Sequence, residues 1–347
     1  MSKPTNSTRS TFSTRSTFLK ASAAASVAFA GFPAYVRAAD ARTFSFGFDQ
    51  PMDTVYGFTG TEFAKKLAEL SHNTLKVNLY PGAQLGQEPE MAQKVRSGDI
   101  DFAINATANA AAISPQSGVF SLEYLYPNTE VCVKSVLDPE MNTIFKKMIK
   151  ETVTGAFSLG LMTWGLRHMY GKSPVNSVAD IKGKKVRVQA TKTEDAFMTA
   201  YGAIPVHMPF GQVYTSLQTG VVQFAENGVN VYAANKHYEV APVLSLTGHE
   251  ANNYNLLVSD KTWASLSKDQ QKWIYAAFDH VQPLAPPHSL ADDRAALIKL
   301  KSIGIKVVEK VDKSGFIALA DPIILAQVKA LGPYAQQMYA RVKQLEK

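Results

Sequence analysis

The 347-residue sequence has a single cysteine, Cys132, so no disulfide can form within the chain. The fold must therefore be held by its core, and 46% apolar residues over this length are sufficient for one. The sequence also lacks the G-x-S-x-G, H-E-x-x-H and C-x-x-C patterns of serine hydrolases, zinc enzymes and thiol pairs. These absences weigh against an enzyme, although distant residues can still assemble a catalytic site.

Acidic residues are missing from the first 38 positions, which hold five of the 36 basic residues: Lys3, Arg9, Arg15, Lys20 and Arg37. Without these five, 31 basic and 29 acidic residues remain, so the formal charge falls from +7 to +2. The later sequence has no run of Lys and Arg interleaved with aromatic residues. We therefore expect no nucleic-acid binding.

The basic start is followed by an apolar segment, "ASAAASVAFAGFPAYV" (21–36), and by small residues around Ala38. This order is typical of a secretory signal, and we predict a signal peptide over 1–38 that is cleaved near Ala38. "TRSTFLK" (14–20) is similar to a twin-arginine signal, with Ser16 in place of the second arginine. The predicted location is the periplasm, and the export route stays open.

Alternating and helical patterns predict two α/β units in the mature chain. Strands at 43–48, 74–80 and 99–105, with helices at 61–70 and 89–98 between them, favour a parallel, helix-covered sheet. A second unit has strands at 184–190 and 221–227, helices at 193–202 and 210–220, and a helix start at 177–180. We expect the two units to be joined near 159–175.

The C-terminal third is expected to be mainly helical. The pattern predicts helices at 267–281 and 289–304, interrupted by "PLAPPH" (283–288), because proline cannot donate a backbone hydrogen bond and clashes with the preceding turn. Two units without a flexible linker suggest a ligand cleft between them.

One arginine is a candidate for that cleft. In "KKVRVQA" (184–190), Val186 and Val188 share one face of the strand, so Arg187 points to the other. The carboxyl end of a parallel strand is where α/β sheets bind ligands, and a guanidinium can bind a carboxylate through two hydrogen bonds. A structural ion pair or a solvated face would explain the same pattern.

Seven phrases in order resemble one family. They include "PGAQLG" (81–86), "VRSGDIDFAI" (95–104), "WGLRHMYGKSPVNSVADIKGKKVRV" (164–188), "GAIPVHMPFGQVYTSLQTGVVQFAEN" (202–227) and "LTGHEANNYNLLVSDKTWASLSKDQQ" (246–271). The sequence resembles the DctP-type extracytoplasmic solute receptors of TRAP transporters over essentially all of 42–310. These receptors bind a small organic acid and deliver it to membrane transporter subunits.

The resemblance implies a periplasmic-binding-protein-like α/β fold, with two lobes around a central cleft, hinge crossovers and long C-terminal helices. Lobe I is expected to comprise 39–164 and about 253–292, and lobe II 165–252 and about 293–347. The resemblance also implies that the protein is a receptor rather than an enzyme, that it needs no cofactor, and that it acts as a monomer, although some relatives dimerise. The alternatives are an exported α/β enzyme acting on a small acid, a chemoreceptor ectodomain, and a binding protein that serves another type of transporter.

The family's substrate-binding positions can be carried over residue by residue. Arg187 matches the arginine that pairs with the carboxylate, Arg167 a second basic position, and Asn227 a ligand-binding asparagine. Phe210 aligns with an aromatic residue of the pocket, for which a core role is the alternative. Two residues on loops of the first lobe, Asp49 and Gln87, complete the expected set.

Departures from the family pattern leave two questions open. Gln223 and Phe224 stand where the family often has Asp-Gly, and Phe224 is a candidate for narrowing the pocket. Because this Asp is absent, we expect the ligand to bind without a metal ion, although the adjacent His249 and Glu250 are residue types that can ligate one. The ligand itself, whether a dicarboxylate, an oxo or hydroxy acid, an aromatic acid or a sugar acid, is not specified by the sequence.

Overall fold

A computed structural model describes residues 41–347, so the predicted signal peptide lies outside the described residues. Within 41–347 the chain forms nine strands: β1 (Arg42–Gly47), β2 (Leu75–Tyr80), β3 (Phe102–Ala106), β4 (Ala156–Gly171), β5 (Lys185–Val188), β6 (Ile204–His207), β7 (Phe224–Asn227), β8 (Val243–Ser259) and β9 (Lys306–Val308).

The same part of the chain contains thirteen α-helices and four short 3-10 helices. The α-helices are α1 (Val55–Leu70), α2 (Glu88–Ser97), α3 (Thr107–Ala110), α4 (Thr129–Leu137), α5 (Pro139–Thr152), α6 (Lys192–Ala200), α7 (Val213–Thr219), α8 (Val229–Ala234), α9 (Asp260–Ala264), α10 (Lys268–Val281), α11 (Ala285–Ser302), α12 (Ser314–Leu331) and α13 (Pro333–Leu345). The 3-10 helices are Pro115–Ser121, Val178–Ile181, Phe210–Gln212 and His237–Glu239.

All nine strands belong to one mixed sheet in the order β2-β1-β3-β8-β4-β7-β5-β6, with β9 paired to β8. The strands β1, β2 and β3 are parallel to one another, and so are β5, β6 and β7. The long antiparallel strands β4 and β8 lie between these two groups and pair with each other along most of their length. The α/β class expected from the sequence is confirmed.

Helix ends follow the local signals in the sequence. Helix α2 has Pro89 in its first turn and ends at Gly98, whose φ of 84° lies in the left-handed region. Helix α10 begins with a capping box between Ser267 and Gln270. The predicted helix over 267–281 is therefore confirmed almost to the residue.

One expectation about the second half of the chain was wrong. The proline-rich stretch does not keep the two helices apart up to residue 288. Pro286 and Pro287 lie in the first turn of α11, where a missing backbone N–H costs nothing because that group has no partner within the helix. The C-terminal third is mainly helical, as expected, although it also contains the 17-residue strand β8. The 16-residue strand β4 occupies most of the expected junction at 159–175, which stays a prediction.

The predicted lobe boundaries fall inside these two strands, at 164/165 in β4 and 252/253 in β8. Both strands run continuously past these points, so the sheet connects the two parallel groups directly. The division into two lobes stays a prediction.

Gly155 fixes the entry into β4. Its φ is 86°, and a Cβ at this position would collide with the backbone carbonyl oxygen of Arg96 at the end of α2. The Arg96 side chain binds the carbonyl of Thr154 at 2.9 Å, which holds the two segments together.

We predict that Gly155→Ala lowers the free energy of unfolding by about 3 kcal/mol, since left-handed backbone strain and overpacking add. Gly304→Ala is the matched control, because Gly304 has a φ of 85° and no neighbouring atom within 4 Å of the added Cβ. The control is expected to cost about 1 kcal/mol in urea unfolding followed by circular dichroism. Equal losses in the two variants would contradict the close approach of α2 and β4.

Candidate functional site

The carboxyl ends of the parallel strands meet around a central cavity. Segments that follow β1, β2 and β3 line one side, and segments at the ends of β5, β6 and β7 line the other; we call these the β1–β3 side and the β5–β7 side. The lining residues are Asp49, Gln50, Tyr56, Glu88, Asn109, Arg187, Gln189, Phe210, Asn227 and Tyr254. This is the edge at which an α/β sheet is expected to bind its ligand.

Arg187 is the cationic group of the cavity. It lies on β5 between the buried Val186 and Val188, and only 2% of its surface is exposed. Its Nε and Nη2 donate to the carbonyl oxygen of Met208 at 3.2 and 3.1 Å, and its Nη1 donates to Glu226 at 3.3 Å. A guanidinium has five N–H groups, so two N–H groups of Arg187 have no hydrogen-bond partner within residues 41–347.

Arg167 is placed differently, behind Glu226. Its Nε and Nη2 bind the two carboxylate oxygens of Glu226, the latter at 2.7 Å, and its Nη1 donates to Asn252 at 2.6 Å. Although burial disfavours its charge, Glu226 and Glu250 raise the pKa of Arg167 well above its usual value. Arg167 does not line the cavity, and it shares one carboxylate with Arg187.

Two carboxyl groups, those of Asp49 and Glu88, line the β1–β3 side. Glu88 accepts hydrogen bonds from the Ala106 N–H and the Asn109 amide, both at 2.8 Å. Burial raises the pKa of Glu88 to about 8, and the charge of Asp49 adds to the rise. Burial also raises the pKa of Asp49 to about 6, although its bond with Gln50 and the charge of Arg187 act in the opposite direction.

Phe210 lines the central cavity and two neighbouring spaces. Its ring stacks on His237 with centroids 5.3 Å apart. Asp49, Glu88 and His207 also line one of these spaces. Gln87 and His237 line the other.

A second cluster of ligating side chains lies next to Arg167. The nearest ligand atoms of Glu226, His249 and Glu250 lie within 4.8 Å of one another. Both carboxylate oxygens of Glu226 already bind Arg167, so a cation here would compete with a guanidinium that is bound through two hydrogen bonds. Burial also raises the pKa of Glu250 well above its usual value. The arrangement therefore disfavours a metal ion.

The structure brings four of the six sequence-predicted residues to the central cavity: Asp49, Arg187, Phe210 and Asn227. Gln87 lines the adjoining space, and Arg167 lies behind Glu226. Phe224, which was considered as a residue narrowing the pocket, is buried in the core, where its ring lies against Gly171.

Sequence reasoning missed Glu88 and Asn109. Glu88 is next to the predicted Gln87, and Asn109 comes shortly after β3. Because α/β sheets bind ligands beyond the carboxyl ends of their strands, the position of both residues after a strand could have indicated them. Tyr56 on α1 and Tyr254 on β8 had no such signal, because neither element was expected to reach the cavity.

Comparisons with known proteins agree with this geometry. The family model described as "Bacterial extracellular solute-binding protein, family 7" (DctP) matches residues 48–330. A solute-binding protein of Chromohalobacter salexigens is 32% identical over 268 residues, which cover 75% of this chain and 77% of that protein.

Solved structures of similar proteins share the fold. The sugar acid binding protein DctPAm from Advenella mimigardefordensis, in complex with galactonate, has a TM-score of 0.83 and 25% identity, covering 88% of this chain and 99% of that one. A TRAP periplasmic solute-binding protein of Chromohalobacter salexigens with bound D-glucuronate has a TM-score of 0.81 and 27% identity, covering 88% and 100%. The chain therefore belongs to the DctP family of extracellular solute-binding proteins, the solute receptors of TRAP transporters.

Proposed function

We propose that this protein captures a small, hydroxylated monocarboxylate in the periplasm and delivers it to the membrane subunits of a TRAP transporter. One observation carries the proposal: Arg187, with three of its five N–H groups bonded to Met208 and Glu226, lines the same cavity as the carboxyl groups of Asp49 and Glu88.

The charge balance favours an anion at Arg187. Arg167 and Arg187 share the carboxylate of Glu226, so these three side chains have a net charge of +1. Glu250 also lies 3.9 Å from Arg167, but burial raises the pKa of Glu250 and so disfavours its charge. A buried guanidinium without a full counter-charge is costly, and a carboxylate that accepts both free N–H groups would supply it.

The opposite side of the cavity favours hydroxyl groups over a second carboxylate. Asp49 and Glu88 can accept hydrogen bonds from hydroxyls when ionised and donate when protonated, whereas a second ligand carboxylate would meet like charge there. Arg167 cannot offer a second carboxylate site while it is bound to Glu226 and Asn252.

The relatives support this substrate class. Galactonate and D-glucuronate, found in two similar structures, each combine one carboxylate with several hydroxyl groups. Family membership and the predicted signal peptide over 1–38 support delivery from the periplasm to a transporter.

We expect Arg187→Lys to weaken binding of galactonate and D-glucuronate at least tenfold in isothermal titration calorimetry, and Arg187→Ala more strongly. Lysine keeps the charge but loses the planar pair of donors. The control is Arg294→Ala, since Arg294 is an exposed arginine on α11. The proposed site is wrong if Arg187→Ala binds as tightly as the wild type, and the proposed substrate class is wrong if the wild type binds neither acid.

Succinate tests the charge of the cavity. We expect the wild type to bind succinate at least tenfold more weakly than the tighter of the two sugar acids, because its second carboxylate meets Asp49 and Glu88. Asp49→Asn removes one negative charge, so the affinity for succinate should come closer to the affinity for the sugar acid. Both affinities are measured by competition at pH 8. A wild type that prefers succinate would refute the assignment of hydroxyls to the β1–β3 side.

The raised pKa values predict how stability depends on pH. Asp49 and Glu88 have ordinary pKa values of 3.8 and 4.5 and reach about 6 and 8 in the fold, so folding favours their protonated forms. Their contribution to stability is complete below about pH 4 and is lost as the pH rises through 6 and 8.

From pH 5 to pH 8 the unfolding free energy of the ligand-free wild type should therefore fall on the order of 2 kcal/mol more than that of Glu88→Gln. Urea unfolding at the two pH values measures the difference. Parallel pH profiles of the two proteins would mean that Glu88 titrates normally in the fold.

A further inference from the structure

Three amide side chains of the β1–β3 side reach across the cleft. In each case the amide oxygen accepts an N–H from the β5–β7 side: Gln50 from the Asn235 amide at 2.7 Å, Gln87 from the Gly211 backbone at 3.0 Å, and Asn109 from the Ala190 backbone at 3.3 Å. We propose that these three amides form a latch that holds the cleft closed around the ligand, and that Gln87 positions the closed state without binding the ligand. The proposal rests on the proposed function only in treating the cavity as a binding cleft.

Two of the amides also connect the latch to the acidic residues of the cavity. The Asn109 NH₂ donates to Glu88 at 2.8 Å, and the Gln50 NH₂ donates to Asp49 at 3.1 Å. One end of each amide thus orients a carboxyl group, and the other end holds the opposite side of the cleft. Closure and the orientation of Asp49 and Glu88 are therefore linked through the same side chains.

Gln87 is the amide that tests the latch alone. It occupies the N-cap position of α2, yet its side chain makes no capping hydrogen bond, so the helix start does not depend on it. Its bond to Gly211 requires close approach, because a Cβ on Gly211 would lie 2.8 Å from the Gln87 Nε2. Glycine at 211 therefore provides the space in which the amide reaches the backbone.

A neutral amide latch predicts a distinct pattern of effects. The bonds of the latch are made only in the closed state, so losing one of them should lower the fraction of closed molecules. The dissociation rate should rise as a result, and the factor by which it rises should be the same for every ligand. A residue that contacts ligand would instead change affinity differently for different acids. The net free energy of one hydrogen bond is large enough that its loss changes the closed-to-open ratio roughly threefold to tenfold.

The test uses spin labels at Lys65→Cys and Gln218→Cys, exposed positions on α1 and α7. Cys132 is fully buried, so labelling is expected at the introduced cysteines. Interspin distances are measured in the mature protein without ligand and with saturating galactonate or D-glucuronate. The variants are Gln87→Met and Gly211→Ala, with Gln87→Glu to restore the acceptor oxygen and Gln93→Met as the control on α2.

We expect Gln87→Met and Gly211→Ala each to lower the closed-to-open ratio roughly threefold to tenfold, with little further loss when combined, because they break the same bond. Gln87→Glu should recover most of the ratio, and Gln93→Met should not change it. A closed fraction equal to that of the wild type in both single variants overturns the latch, as does a wild type that never closes. If neither acid binds but the variants still shift the ligand-free distances, the latch stands and the proposed function fails.

Discussion

The carboxylate of Glu226 is the group on which the binding site depends. It lies on β7, and β7 is the strand between β4, which carries Arg167, and β5, which carries Arg187. One carboxylate can therefore hold both guanidiniums, and the three charges are buried together. Without it, Arg187 would lose the carboxylate it pairs with and Arg167 the nearer of its two, and a buried charge that loses its partner is strongly destabilising. The strand order β4-β7-β5 thus places a positive, incompletely neutralised group at the cavity.

The two sides of the cavity are chemically unlike, and this difference is the basis of the selectivity proposed for it. The β5–β7 side offers a fixed fork of donors, whereas the β1–β3 side offers carboxyl groups whose raised pKa values let them exchange protons near neutral pH. A ligand with one carboxylate and several hydroxyls satisfies both sides. Protons can then be taken up or released by Asp49 and Glu88 when the ligand binds, so the acidic side adapts to the ligand while Arg187 stays fixed by Met208 and Glu226.

The sequence predicted well the features that depend on local signals, and predicted poorly the features that depend on the pairing of distant strands. Alternation in "KKVRVQA" correctly predicted that Arg187 leaves the valine face of β5, and cap residues located α2 and α10. The strands β4 and β8 were missed because both are buried along nearly their whole length and show no alternation. The environment of Arg167 could not be predicted, since its bond to Glu226 exists only through the pairing of β4 with β7.

Charge and closure are carried by different groups. In the proposed site, Arg187 and the carboxyl groups contact the ligand, whereas the contacts of Gln50, Gln87 and Asn109 across the cleft are neutral, short-range hydrogen bonds. Hydrogen bonds of this kind exchange easily with water, so each contributes only about 1 kcal/mol to the closed state. A latch this weak leaves the open state accessible for ligand entry and release. In the proposed mechanism the decisive free energy of closure therefore comes from the ligand, whose carboxylate pairs with Arg187 while its hydroxyls contact the β1–β3 side.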